Sequence, residues 1–313
     1  EKIILGTAQF GLDYGINNKV GRPSDIKLEK ILLQAYNNNI FLLDTAEIYG
    51  DAHKRIGKYH LKYPSKKFNI ISKFYEPKFS GNFINHISKN LSELNVDILY
   101  AYLFHNLNDL KKYSKNVDQL IKLKEEGSIN KLGVSLYTND EIEQVLNRFD
   151  FIDLIQIPFN IFDNTNLKGI VISRIKEKGI EVHTRSAFLQ GLFFSDKLPN
   201  NLISLQPYID ILYKISSKYS MTISEIALNY CLNQPNIDKV LIGIDTKIQL
   251  MENISGLKYL SLDIMDEINN IYVKYTETTE IEIKNQEFFF NMLPLINFSL
   301  VRMYNKKMFN IDN

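Results

Sequence analysis

The 313-residue chain is short of several things, and each shortage narrows what it can be. Its single cysteine, Cys231, excludes an internal disulfide. A chain of this length buries enough apolar surface to do without one, and such thiol usage fits a reducing, cytoplasmic setting. Neither sign of charge is in excess: 37 Lys and Arg are spread among 36 Asp and Glu, for a formal net charge of +1. Nucleic acid needs a clustered basic face, so it is not an expected partner. No run reaches the roughly 20 apolar residues of a bilayer span. Nothing near the start has the charged, apolar and small-residue succession of a secretory signal. The first residue is Glu1 and not Met, so a short preceding piece is expected. Linkers and low-complexity tracts are missing too. The five histidines (His53, His60, His86, His105 and His183) lack the His-x-x-x-His or carboxylate spacing of a zinc centre, and no metal is expected.

What is present is an alternation. Short apolar runs rich in β-branched residues recur at 3–8, 41–45, 69–73, 98–105, 131–135, 153–157, 181–186 and 239–243. Between them lie amphipathic patterns, among them 25–38, 83–94, 110–125, 167–178 and 222–233, with a last one at 263–273. Gly127 and Gly179 stand where two such helices would end on a left-handed residue. Ser24 and Thr222 read as helix N-caps, the latter with Glu225 three residues on as a capping box. Eight strand–helix units predict an α/β chain folded as one parallel (β/α)8 TIM barrel over residues 1–273. The near-continuous apolar strands agree, because a parallel sheet is covered on both faces. A doubly wound open sheet is the competitor, but it usually carries G-x-G-x-x-G after its first strand. Here that strand runs into Gly6-Thr7-Ala8-Gln9-Phe10-Gly11, and no Walker A motif occurs.

In such a barrel the C-terminal strand ends line the active site. The second strand ends in Leu43-Asp44-Thr45 and leads to Tyr49, the third ends in Ser72-Lys73, and the fourth in Phe104-His105. Singly, each has a bland reading: Asp44 as a turn or cap residue, Tyr49 as one of 18 tyrosines, His105 as a satisfied core histidine. Lys73 is harder to dismiss, since lysine is almost never fully buried without a partner. Together the four converge from three consecutive strands on one rim. Carbonyl reduction needs a hydride donor and an acid for the developing alkoxide. A phenol titrates near 10, and an ammonium beside it favours the phenolate and lowers that value. A buried ammonium needs a carboxylate to stay charged, which is the role predicted for Asp44. A neutral His105 would orient the carbonyl oxygen.

From Ile4 to about Leu257 these segments resemble the aldo-keto reductase family. Asp44-Thr45-Ala46-Glu47-Ile48-Tyr49-Gly50 is similar to its D-T-A-x-x-Y-G signature, Ser72-Lys73 to its lysine strand and Leu103-Phe104-His105 to its histidine strand. The resemblance implies a catalytic set of Asp44, Tyr49, Lys73 and His105, with a nicotinamide cofactor. It also implies cofactor contacts at Thr7, at Ser135 of Gly133-Val134-Ser135, and at Gln156, the last two toward the carboxamide. A buried amide needs partners, and a cofactor can supply them, whereas Ser135 alone also reads as a helix cap. Arg185-Ser186-Ala187-Phe188-Leu189-Gln190-Gly191-Leu192 resembles the family's Y-S-P-L-x-x-G-L segment and implies contacts from Arg185, Ser186 and Gly191. There Arg185 replaces the tyrosine that stacks on nicotinamide; a planar guanidinium can stack too. That replacement, with the opening Gly6–Gly15 segment, looks like a bacterial branch. Gly243, Gln249, Glu252 and Asn253 match the region gripping the adenosine half, where a helix start offers N–H groups to phosphate. NADP-preferring members often carry Lys and Arg at the places of Gly243 and Gln249. Lys247 is the replacement cation, so NADP is the expected cofactor, with NAD the alternative.

Residues 274–313 form a C-terminal extension with Phe288-Phe289-Phe290 and Leu293-Pro294-Leu295-Ile296. Its expected place is packed on the barrel, with a dimer or partner contact as the alternative, because so apolar a tail should not stay exposed. The function this implies is NAD(P)H-dependent reduction of a small aldehyde or ketone, plausibly sugar-related. Two other readings stand beside it: a cofactor-sensing regulatory protein like a channel β-subunit, and a sugar isomerase or lyase that keeps its nicotinamide bound. Substrate and oligomeric state are not legible.

Overall fold

Eight parallel strands close on themselves in strict chain order, each hydrogen-bonded to the next and the eighth to the first. The computed structural model describes residues 2–276 except 16, 17, 19, 20, 196, 197, 199–202 and 204. The strands are β1 (Ile3–Gly6), β2 (Leu42–Asp44), β3 (Asn69–Lys73), β4 (Ala101–Phe104), β5 (Leu132–Ser135), β6 (Leu154–Pro158), β7 (Glu181–Arg185) and β8 (Lys239–Ile242). Around them run α1 (Ala8–Gly11), α2 (Asp25–Asn37), α3 (Ala52–Lys62), α4 (Phe83–Leu94), α5 (Leu107–Tyr113), α6 (Val117–Glu125) and α7 (Asn139–Arg148). Then come α8 (Thr165–Glu177), α9 (Gln206–Tyr219), α10 (Ile223–Leu232), α11 (Lys247–Ser255) and α12 (Leu262–Thr276). This is the (β/α)8 barrel that the alternation predicts, and all eight strands fall within the expected runs, save that β6 gains Pro158. None of the described helices is long and apolar enough to cross a membrane.

Strand residues two apart share a face. Ile4, Leu42, Ile71, Ala101, Leu103 and Leu154 pack together inside the barrel, while the larger apolar layer lies between strands and helices. Asp44, Lys73, His105 and Gln156 are the next residues of that inward parity on their strands. The same alternation that packs the centre therefore aims polar groups into the open end.

The rim is held by helix starts. Ser24, Asn82 and Asn106 accept the N–H of the third residue on, and Thr138, Thr222 and Thr246 form full capping boxes with Glu141, Glu225 and Gln249. Each cap contributes about 1 kcal/mol and fixes where a loop turns down into its helix. Gly127 and Gly179 do adopt positive φ, 80° and 73°. The helix expected over 110–125 is two helices separated by a 3-10 turn at Ser114–Asn116, and it begins earlier, at Leu107. Ser114 bonds back to the Lys111 carbonyl, the local competition that interrupts helices at serine. The final helix runs to Thr276, past the expected barrel boundary at 273, and the rest of the extension expected over 274–313 lies outside the described residues.

Candidate active site

Lys73 and Asp44 meet as a buried ion pair at the ends of β3 and β2, each side chain no more than 3% exposed. Asp44 is held from three sides. Its second oxygen accepts Gln156 Nε2 at 2.8 Å, and its carbonyl accepts both the backbone N and the hydroxyl of Thr7 at 3.0 Å. Lys73 Nζ also reaches the Thr45 carbonyl at 3.4 Å. A buried ion pair survives only when its remaining valences are satisfied this way. Burial pulls the Lys73 ammonium below its usual range, and Asp44 opposes that pull.

Tyr49 sits above this pair. Lys73 Nζ lies 5.7 Å from its ring centre, and the His105 ring meets it edge-on at 6.4 Å between centroids. Two glycines seat the loop that carries it. A Cβ on Gly11 would stand 1.9 Å from the Tyr49 carbonyl, and one on Gly50 2.4 Å from the Gly11 carbonyl, so backbone rests directly on backbone. Gly50 also has φ of 56°, in the left-handed region. The Tyr49 hydroxyl has no hydrogen-bond partner among the described residues.

The expectation of a lowered Tyr49 pKa is not met. Burial and the Asp44 carboxylate hold the phenol well above its ordinary value. Lys73 does not reverse this, because its charge is matched by Asp44 at contact distance. His105 is pushed down to about 3 by burial, reinforced by Lys73 and Arg185 and opposed by a hydrogen bond with the Phe74 backbone. It is therefore the neutral imidazole expected.

Arg185, at the end of β7, stacks its guanidinium 4.2 Å over the Tyr137 ring and donates to the Leu136 carbonyl at 3.3 Å. Tyr14, from the loop after α1, joins the same enclosure; burial raises its phenol to about 12 against the pull of Arg185. Tyr14 and Tyr137 were not foreseen. The only signal for them was position, one after the first strand and one two residues past Ser135. Beyond Arg185 the chain is strained: Ser186, Leu189 and Gln190 have φ of 66°, 46° and 57°, and Gly191 follows at 86°. Positive φ at three non-glycine residues in five is the kind of strain found at ligand sites.

The remaining predicted residues divide. Ser135 and Gln156 are register neighbours on β5 and β6, both buried, beside Asp44. On the far side, Gln249 Oε1 caps α11, accepting the N–H groups of Asp245 at 2.8 Å and Thr246 at 3.1 Å. Asn253 Oδ1 accepts Ser224 Oγ at 3.0 Å, Glu252 is exposed, and Gly243 is covered by the Gln9 amide. Thr7 serves Asp44 directly.

A profile of the Aldo/keto reductase family matches residues 2–272. The chain belongs to that family. It is accordingly an NAD(P)-dependent oxidoreductase of the carbonyl-reducing kind. Among its relatives, the NADH-specific methylglyoxal reductase of Escherichia coli (strain K12) is 24% identical, covering 81% of this chain and 88% of the relative. A probable voltage-gated potassium channel subunit beta of Oryza sativa subsp. japonica is 22% identical over 86% of this chain and 94% of its own length. In fold, the holo form of an aldo-keto reductase from Bacillus halodurans superposes with a TM-score of 0.70 at 19% identity, covering 86% of this chain and 91% of that one. The glycerol dehydrogenase of Gluconobacter oxydans gives 0.68 at 19% identity, with 87% and 91% covered.

The residues present suit a reductase's nicotinamide. Gln156 Oε1 is a buried acceptor with no donor, and the Ser135 hydroxyl has no hydrogen-bond partner among the described residues. A carboxamide, which offers both a donor and an acceptor, answers that pair. Burying the Gln156 oxygen unmet costs about 1–3 kcal/mol, so a ligand that meets it gains accordingly.

Proposed function

We propose that this aldo-keto reductase reduces a small polar aldehyde or ketone with Tyr49 as the proton donor. One observation carries the reading: the Tyr49 ring, its hydroxyl without a hydrogen-bond partner among the described residues, is flanked by the neutral His105 ring and by Lys73 of the Asp44–Lys73 pair. Ser135 and Gln156 would hold a nicotinamide, which when bound would supply the hydride for the carbonyl carbon. Tyr49 passes its proton to the carbonyl oxygen as negative charge develops there. A phenol kept protonated by burial is a ready donor at that moment and a poor one before it. His105, neutral, donates a hydrogen bond to the same oxygen and so orients it. The phenolate left behind finds the Lys73 ammonium close by, which limits its cost until solvent returns the proton.

Arg185, Tyr14 and Tyr137 would make the mouth hydrogen-bonding, which supports a polar substrate, sugar-related compounds included. Lys247, exposed at the start of α11, supports NADP as the first choice of dinucleotide. Asp245 beside it, its carboxyl raised by burial, supports NAD as the second. The test is a titration with NADPH and NADH followed by nicotinamide emission, in a chain that has no tryptophan. A panel of methylglyoxal, short aldehydes and aldoses follows. Carbonyl-dependent cofactor oxidation is expected. Cofactor binding with no turnover across the panel overturns the reading.

A further inference from the structure

Behind the site lies a second buried acid that the proposed chemistry does not use. Glu47 stands three residues after Asp44 and two before Tyr49, and its side chain is 3% exposed. Its carboxylate accepts Tyr102 OH at 2.8 Å, Asn90 Nδ2 at 3.0 Å, His86 Nε2 at 2.8 and 2.9 Å and the Tyr75 backbone N at 3.3 Å. Its own backbone N donates to the Lys73 carbonyl at 3.2 Å, and its carbonyl accepts Lys78 Nζ at 2.6 Å. A carboxylate offers about four acceptor positions, so these donors saturate it.

The partners matter by where they sit. Tyr75 and Lys73 are at the end of β3. Tyr102 is on β4, three residues before His105. His86 and Asn90 are on α4, which packs outside those strands. One side chain thus ties the Tyr49 loop to the strand end bearing Lys73 and the strand bearing His105. For stability alone the charge is not needed, because a well-packed apolar group commonly serves as well as a buried ion. What the charge adds is directional: five donor contacts converge on one group and define the loop's position.

We propose that Glu47 is a positioning residue for this reaction, setting the distances among Tyr49, Lys73 and His105 without touching the reacting atoms. The inference rests on the proposed role of Tyr49. Misplacement by about 1 Å can cost on the order of 100-fold in rate. Glu47→Gln keeps the shape but turns an acceptor-only group into one that also donates. Its kcat on the best panel substrate should fall by about 10- to 100-fold, with KM and the NADPH or NADH dissociation constant within about twofold. The isotope effect from 4-deuterated cofactor should rise as hydride transfer becomes limiting. Tyr102→Phe, which removes one donor and leaves the carboxylate, should show the same split at about 3- to 10-fold, and it carries the test if Glu47→Gln does not fold. Folded variants with wild-type kcat overturn the proposal, as does a loss that merely follows the unfolded fraction. If the wild-type protein turns over no carbonyl, the reading of Tyr49 fails instead. Imidazole nitrogen NMR then decides for Glu47: with five histidines in the chain, His105 signals that move in Glu47→Gln support positioning, and unmoved ones overturn it.

Discussion

The two ends of one barrel interior carry polar clusters of similar composition and different character. At the closed end, where strands begin, Glu181 is paired with Lys131 and accepts Tyr100 OH at 2.7 Å and His183 Nε2 at 2.7 Å. Tyr100 stacks on His183 at 6.3 Å, and Lys131 sits 4.8 Å over the Tyr100 ring. His183 Nδ1 apart, each group there faces another. At the open end the same kinds of group recur, a carboxylate, an ammonium, a phenol and an imidazole: Asp44 pairs with Lys73, while the Tyr49 hydroxyl has no hydrogen-bond partner among the described residues. Mutual satisfaction makes the lower set a plug. Incomplete satisfaction makes the upper set the candidate site. Residue type does not separate them; the partners left over do.

The sharpest way to break this comparison is at Tyr49. Tyr49→Phe should lower kcat by about 10²- to 10⁴-fold, the usual worth of a general acid, with cofactor affinity measured by emission titration nearly unchanged. Equal activity would place the proton donor elsewhere. Next in size is Lys73→Met, which strands the Asp44 charge and should cost about 3–5 kcal/mol in urea unfolding. Adding Asp44→Asn should restore most of that stability and none of the turnover, since the stability loss comes from the unpaired carboxylate and the turnover loss from the missing ammonium.

At the lower end the outcomes should reverse. Glu181→Gln should destabilise by about 2–3 kcal/mol, because charge-assisted hydrogen bonds are lost, while kcat stays at the wild-type value. Burial alone would raise the Glu181 pKa, but His183, Lys131 and Tyr100 outweigh it and hold the acid at about 2. Its folded value lies below its unfolded one, so its stabilisation is complete above about pH 4.5 and lost as pH falls toward 2. A wild-type unfolding midpoint that drops through that range, with Glu181→Gln showing a smaller drop, is the expected record. The smallest effect is a null one. With His105 pushed down to about 3, the rate profile should show no His105 ionisation between pH 5 and 9. An inflection near 6.5 that vanishes in His105→Gln would refute the neutral imidazole.

Asp44, Lys73 and His105 were legible because strand ends and inward parity are local properties of the chain, and Tyr49 because its motif is. Gln156 was legible as an amide out of place in an apolar strand. Gln249 and Asn253 show the limit. Their side chains can serve the protein, a ligand or both, and only the folded arrangement shows that their oxygens are bonded within the protein, to the start of α11 and to Ser224. Tyr14, Tyr137 and Glu47 carry no local signal, since a tyrosine or glutamate in a loop is ordinarily solvated.

From its own order of residues the chain determined the barrel and the four groups that gather at one end of it as the candidate site. Periodicity and turn chemistry act over a few residues, and eight repeats of them leave little choice of topology. The tertiary structure alone decided how those groups are charged and placed: the phenol raised and not lowered, the imidazole neutral, the Tyr49 loop pinned by Glu47 to strands distant in sequence. Burial and the distance between charges set those properties, and both arise only when the barrel closes.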